Sequence, residues 1–151
     1  MRLNKLTIKS QEALQNAQAL AEKRNHQAVD VEHLFMALLS QKEGVVLSLL
    51  QKLGIPVSSL FDRLQRALDR LPQVTGGAAG QTFITPRLKK VIEGAEAAAE
   101  GLKDEYVSTE HLFLAILERG NQTKRLLEQY GLTTAAVLGS LQEIRGSERV
   151  I

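Results

Sequence analysis

The dipeptide Glu-His occurs twice in this chain, as Glu32-His33 and Glu110-His111. A carboxylate beside an imidazole is the material of metal sites and of acid–base catalysis. Neither copy has a second histidine four residues on, so the helical spacing of a zinc protease motif is missing, and a zinc site would need ligands from both copies to meet. The chain has no cysteine, which removes thiol nucleophiles and thiolate ligands. Ser108 and Ser147 fall at an expected helix start and in the tail, with no histidine placed to activate either hydroxyl. The glycine-rich run Gly76-Gly77-Ala78-Ala79-Gly80 invites a phosphate-binding reading. A phosphate loop requires Lys and then Ser or Thr after its last glycine, and here Gln81-Thr82 follow. Asp104-Glu105 reads as an exposed acidic loop. The expectation is a non-enzymatic chain with no catalytic residue, no metal and no cofactor.

The two dipeptides belong to a longer repeat. Val31-Glu32-His33-Leu34-Phe35-Met36-Ala37-Leu38-Leu39 returns as Thr109-Glu110-His111-Leu112-Phe113-Leu114-Ala115-Ile116-Leu117, 78 residues later, and the register holds without a gap back to Thr7 and Thr85. Internal duplication decides how the rest is read. Each copy carries four amphipathic helical patterns. Thr7, Asp30, Thr85 and Ser108 stand where N-caps are needed, Pro86 suits a first helical position, and Gly54 and Gly131 suit left-handed helix ends. Asn121 is the expected cap of the seventh helix. Leu138, Leu141 and Ile144 are expected to be buried on the eighth.

The predicted fold is all-α: eight helices as two four-helix repeats related by a pseudo-twofold axis. Repeat one covers 1–72, a linker 73–83, repeat two 84–146, and 147–151 starts a tail. About 75 residues per repeat make a marginal unit alone, so the two should dock face to face. That leaves a surface seam where helices 1 and 5 and their caps approach, a common place for a binding groove.

Composition narrows the function classes. The formal net charge is +2, from 19 basic and 17 acidic residues scattered along the chain, which gives no electrostatic case for nucleic acid. Aromatics are 4% with no Trp, so stacking pockets are not expected. No apolar run fits a signal peptide or a membrane span, and a soluble cytoplasmic protein is the expectation.

Met1-Arg2-Leu3-Asn4-Lys5-Leu6-Thr7, with Gln11-Glu12-Ala13-Leu14-Gln15-Asn16-Ala17-Gln18 after it, resembles the start of the ClpB family, the bacterial Hsp100 disaggregases. The doubled Glu-His-Leu-Phe segment is similar to that family's paired Clp repeat motifs, and Arg70-Leu71-Pro72-Gln73-Val74 before the glycine-rich run resembles ClpB more than ClpA or ClpC. The resemblance covers residues 1–146. It implies an isolated N-terminal, substrate-binding domain of a chaperone, whose full-length relatives are ring hexamers that thread aggregated polypeptide through a pore with help from the DnaK system. ATP and magnesium belong to ATPase modules, none of whose motifs occur here. The implied partners are unfolded or aggregated polypeptides and the rest of its own chain, with no nucleic acid or membrane, and the isolated domain should be a monomer. The implied polar contacts fall on Thr7, Asp104 and Glu110. The implied apolar groove falls on Gly94, Ala98 and His111, small or polar where the family can carry Leu, so Val91, Ala95 and Leu102 are expected to supply contact area instead. The alternative is an adaptor-docking domain of a ClpA- or ClpC-type unfoldase.

Overall fold

The computed structural model describes residues 5–74 and 82–146. Among them are eight helices and two short strands: α1 Ile8–Lys23, β1 Ala28–Val29, α2 Val31–Leu39, α3 Val45–Lys52, α4 Val57–Asp69, β2 Phe83–Ile84, α5 Pro86–Gly101, α6 Thr109–Arg119, α7 Asn121–Glu128 and α8 Thr134–Arg145.

The repeated segments form the centre. In α2 every residue but Glu32 is buried, and in α6 everything from Thr109 to Leu117 is buried. A helix buried all round sits inside, and these two do, in contact with each other. Phe35 and Phe113, equivalent in the repeat, stack across that contact with ring centroids 5.9 Å apart and planes 10° from parallel. The outer helices α1 and α5 cover them with alanine, Ala13, Ala17 and Ala21 on one and Ala95 and Ala99 on the other, so backbones approach closely.

The halves are also exchanged at their entrances. β2 pairs in parallel with β1, Ala28 opposite Phe83 and Val29 opposite Ile84. Shifted by the repeat offset, the same pairing recurs as a parallel bridge between Leu6 and Val107. Thr85 N–H donates to Val29 O at 3.1 Å, and Thr7 N–H to Val107 O at 3.0 Å. Each half thus enters its first helix by pairing with the loop before the other half's central helix.

Caps explain most helix starts. The Thr7, Thr85 and Thr133 hydroxyls accept from Ser10, Leu88 and Ala136 amides. Gly54 and Gly131 take φ of +74° and +80° just after α3 and α7, a conformation open to glycine without strain. Four local expectations change. Gly120, not Asn121, precedes α7 as N-cap, and Asn121 is the first helical residue. Ile144 is 45% exposed, because α8 turns it away from the neighbouring helices. Within the stretch read as a linker, Gln73 bridges to His26 and Val74 N–H donates to Asn25 O at 2.7 Å, while Phe83 begins β2; residues 75–81 lie outside the described residues. Asp104 is buried, for the reason given next.

Candidate functional site

Both Glu-His dipeptides open a helix, and in both the histidine is the third helical residue. In α2 the Asp30 backbone N–H donates to His33 Nδ1 at 2.9 Å. In α6 the Ser108 N–H donates to His111 Nδ1 at 2.8 Å. Histidine here takes the part that Glu or Gln plays in a capping box. Because Nδ1 accepts, a neutral ring carries its proton on Nε2 and can donate it onward. The recipient differs. His33 Nε2 lies 2.8 Å from His26 Nδ1, whereas His111 Nε2 lies 2.7 Å from Asp104 Oδ2. His26 and Asp104 are themselves equivalent positions of the repeat.

Both central imidazoles are fully buried. Burial pushes His33 down to about 4, and the neighbouring His26 ring adds to that. Burial and the Arg24 charge lower His26 as well. Burial also lowers His111, against the opposing pull of the Asp104 and Glu110 carboxylates. Around Asp104 the charge is answered by Arg145 from the end of α8, whose Nη2 sits 2.6 Å from Asp104 Oδ1 and whose Nη1 sits 3.4 Å from Glu110 Oε2. In the first half the answered acid is instead the cap, Asp30. It receives the Thr85 hydroxyl at 3.0 Å and the Arg87 guanidinium at 2.5 Å, both from α5 and its cap. Burial alone would raise Asp30, but Arg87, the Val31 amide and Thr85 together hold it below the usual carboxylate range.

Ser108 Oγ also lies 3.0 Å from His111 Nδ1, so a serine, a histidine and an aspartate do stand in line, contrary to the sequence expectation for Ser108. The expectation of an exposed acidic loop at Asp104 fails for the same reason: its partners are buried. The line is a helix cap rather than a nucleophile. His111 Nδ1, the nitrogen that faces the Ser108 hydroxyl, already accepts the Ser108 backbone N–H at 2.8 Å, and Ser108 is itself buried. Among the described residues no group of three or more His, Asp or Glu could hold a metal.

The other expected site residues fall in different places. Val91 and Ala95 are fully buried under α6 and present nothing to a ligand in this state. Gly94 and Ala98 line a hollow of about 280 Å³ between α5, α6 and the start of α8, with Leu102, Leu114 and Leu138. A Cβ at Gly94 would meet Ala115 Cβ at 3.2 Å and Arg119 Cδ at 3.1 Å, so glycine there lets α6 come close. Thr7 is half-buried and tied to Val107, which puts it beside the loop that carries Asp104. Between α1 and α5 runs a longer seam of about 310 Å³, walled by Leu6, Leu14, Val29, Ile84, Leu88 and Ile92 and edged by Gln11, Gln15 and Gln18. Among the described residues, no ionisable side chain lines it. Ile84 is 50% exposed at its rim.

Residues 5–130 match the Clp repeat (R) N-terminal domain, most of the chain. The chain belongs to that family. This Clp repeat domain is 44% identical over 154 residues to the chaperone protein ClpB of Nitratidesulfovibrio vulgaris, an alignment that takes in 99% of the chain. It spans only 18% of that relative's length. Its fold is that of the Hsp104 N-terminal domain from Candida albicans, with a TM-score of 0.83 at 20% identity, covering 96% of this chain and 94% of the other. A ClpV N-domain in complex with a VipB peptide has the same fold, with a TM-score of 0.64 at 24% identity over 78% of this chain and 71% of that one. The Clp repeat domain is a non-catalytic part of Hsp100 proteins, consistent with the closed cap at Ser108. No helix among the described residues is long and apolar enough to cross a membrane.

The capping role of His33 and His111 had a sequence signal. Asp30-Val31-Glu32-His33 and Ser108-Thr109-Glu110-His111 both keep the cap-to-third-residue spacing of a capping box, with histidine in the acceptor place. Arg145 and Arg87 had none, because their partners lie 41 and 57 residues away.

Proposed function

We propose that this domain weakly holds apolar segments of unfolded or aggregated polypeptide for the ring of an ATP-dependent disaggregase, which then draws them into its pore. The observation that carries this is the α1–α5 seam: an open, apolar channel with no ionisable side chain lining it among the described residues. Such a surface gains from burying any aliphatic segment and discriminates little between sequences. A shallow site of that kind suits affinities of about 10 μM to 1 mM, loose enough for release. Six such domains tethered to one ring would raise the local concentration of weak sites without new contacts. The kinship with ClpB and the peptide held by a ClpV N-domain both support the reading. On it, Gly94 and Ala98 contribute a second apolar surface, while Asp104, Glu110 and His111 serve from beneath by fixing the loop and α8.

The experiment is a titration of the chain with an unfolded model polypeptide, followed by amide chemical shifts. Shifts should gather on α1, β2 and α5. Replacing both Phe83 and Ile84 with Thr should keep the strand and weaken binding about fivefold, the effect of roughly 1 kcal/mol of lost apolar contact. A client that moves no seam residue, or binds the double variant as tightly, ends the proposal.

A further inference from the structure

A cationic trough of about 350 Å³ lies between α4 and α7, away from both apolar openings. Arg63, Arg66 and Arg70 recur there at spacings of three and four, which puts them on one helix face over about 10 Å. Arg125 faces them from α7. Arg63 is engaged, bonded to Gln129 and stacked over the Tyr130 ring at 5.4 Å. Among the described residues, Arg66, Arg70 and Arg125 are exposed and have no acidic partner within ion-pair distance. Elsewhere in the same structure arginines do find carboxylates, as Arg24 does Asp69, Arg87 does Asp30 and Arg145 does Asp104.

A second observation points the same way. Thr123, on the first turn of α7, lines this trough with its residue 1% exposed and its hydroxyl without a hydrogen-bond partner. Buried hydroxyls are nearly always satisfied, so a donor left idle in the wall of a cationic trough is a place for an acceptor. The helix start above it has no side-chain cap, which leaves the positive end of α7 open. One carboxylate lines the trough, Glu32. Its counterpart in the second half, Glu110, is answered by Arg145 at 3.4 Å, whereas Glu32 has no ion pair among the described residues.

We propose that this trough docks a carboxylate-rich stretch of polypeptide, with Arg66, Arg70 and Arg125 pairing its side chains and Thr123 donating to one of them. Guanidinium forks fit carboxylates in two-point geometry. Same-face side chains of an extended strand recur every ~6.6 Å, so two of them match the ~6 Å along the helix from Arg66 to Arg70. A compact anion would reach only part of the arginine array. Nucleic acid would need a longer basic field than a chain of net charge +2 presents. The trough is separate from the α1–α5 seam, so this inference stands whether or not the seam holds apolar clients.

The test is a titration of the 151-residue chain with a capped oligoglutamate peptide of about eight residues, enough to span the array when extended. Amide shifts should appear on α4 and α7 and not on β2, and affinity should fall as salt is raised. Arg66→Gln, Arg70→Gln and Arg125→Gln together alter only exposed side chains and should weaken binding at least tenfold. Glu32→Gln should tighten it about threefold, by removing the repelling charge. The proposal is overturned if the peptide leaves α4 and α7 unmoved, or if the triple variant binds it equally well. It is overturned too if inorganic pyrophosphate displaces the peptide at equal or lower concentration, which would assign the trough to a compact anion.

Discussion

The two halves of the domain solve one geometric problem with different chemistry. At equivalent places 78 residues apart, a buried imidazole closes the cap of a central helix and donates its Nε2–H to a neighbour 2.7 to 2.8 Å away. In the first half that neighbour is a second neutral ring, and the charged interactions sit on the cap, Asp30, tied to α5. In the second half the neighbour is Asp104, and the charge is carried through to α8 by Arg145. The position of Arg145, at the 77-residue offset that relates the later helices, falls on Leu68, which is fully buried. One half closes this region with a leucine, the other with an arginine and the acids it answers. The comparison separates what the fold needs, a satisfied Nε2–H, from what it leaves open.

Breaking the ionic version should have the largest effect. Arg145→Ala removes the guanidinium shared by two buried carboxylates and should cost about 3–5 kcal/mol of unfolding free energy in urea. Arg145→Leu alone should cost a similar amount, whereas Asp104→His with Arg145→Leu rebuilds the first half's chemistry and should recover part of the loss. If the double variant is no better than the single, the halves are not interchangeable in the way the equivalence suggests.

Acid should reveal the neutral version. The folded His33 ring, near 4, binds protons less readily than the unfolded one at 6.5. Its contribution is therefore complete above about pH 6.5 and lost as pH falls toward 4, by roughly 3 kcal/mol at 1.36 kcal/mol per unit. His26 and His111 are lowered too and act in the same direction. His26→Asp places a carboxylate against His33, raises its pKa and should flatten the decline between pH 6.5 and 4. An unchanged slope of stability against pH would mean that the pair does not set the acid limit.

The smallest effect concerns the two threonine caps. Thr85→Ala loses both the Leu88 amide and the bond to Asp30, and Thr7→Ala loses the Ser10 amide and a hydroxyl contact. Each should cost about 1 kcal/mol, with Thr85 the more costly because its second partner is a buried carboxylate. Equal melting temperatures for the two variants would deny Asp30 that dependence.

Much of the fold was legible in the residues. The register between Glu32-His33 and Glu110-His111 gives the repeat, and Thr7, Thr85, Pro86, Gly54 and Gly131 mark helix ends through local backbone chemistry that acts within a few residues. The candidate sites were legible only in part. Asp104-Glu105 looked like a solvated acidic loop because such pairs usually are; the arginine that answers Asp104 arrives from the far end of α8, 41 residues on. Val91, Gly94, Ala95 and Ala98 share a helix, yet α6 buries the first three and only Ala98 stays partly exposed at the hollow. Ile144 kept the apolar type of a core residue on a helix that turns it outward. Such outcomes depend on how finished helices pack, which periodicity along one strand of sequence does not encode.

The reciprocal pairing of Leu6 with Val107 and of β2 with β1 has a mechanical consequence. Tension applied to the chain ahead of α1 is passed sideways into the second half at Val107, and tension reaching β2 is passed back into the first at Val29. The two quartets therefore share load at their entrances, and pulling either one away must first break its backbone pairing with the other.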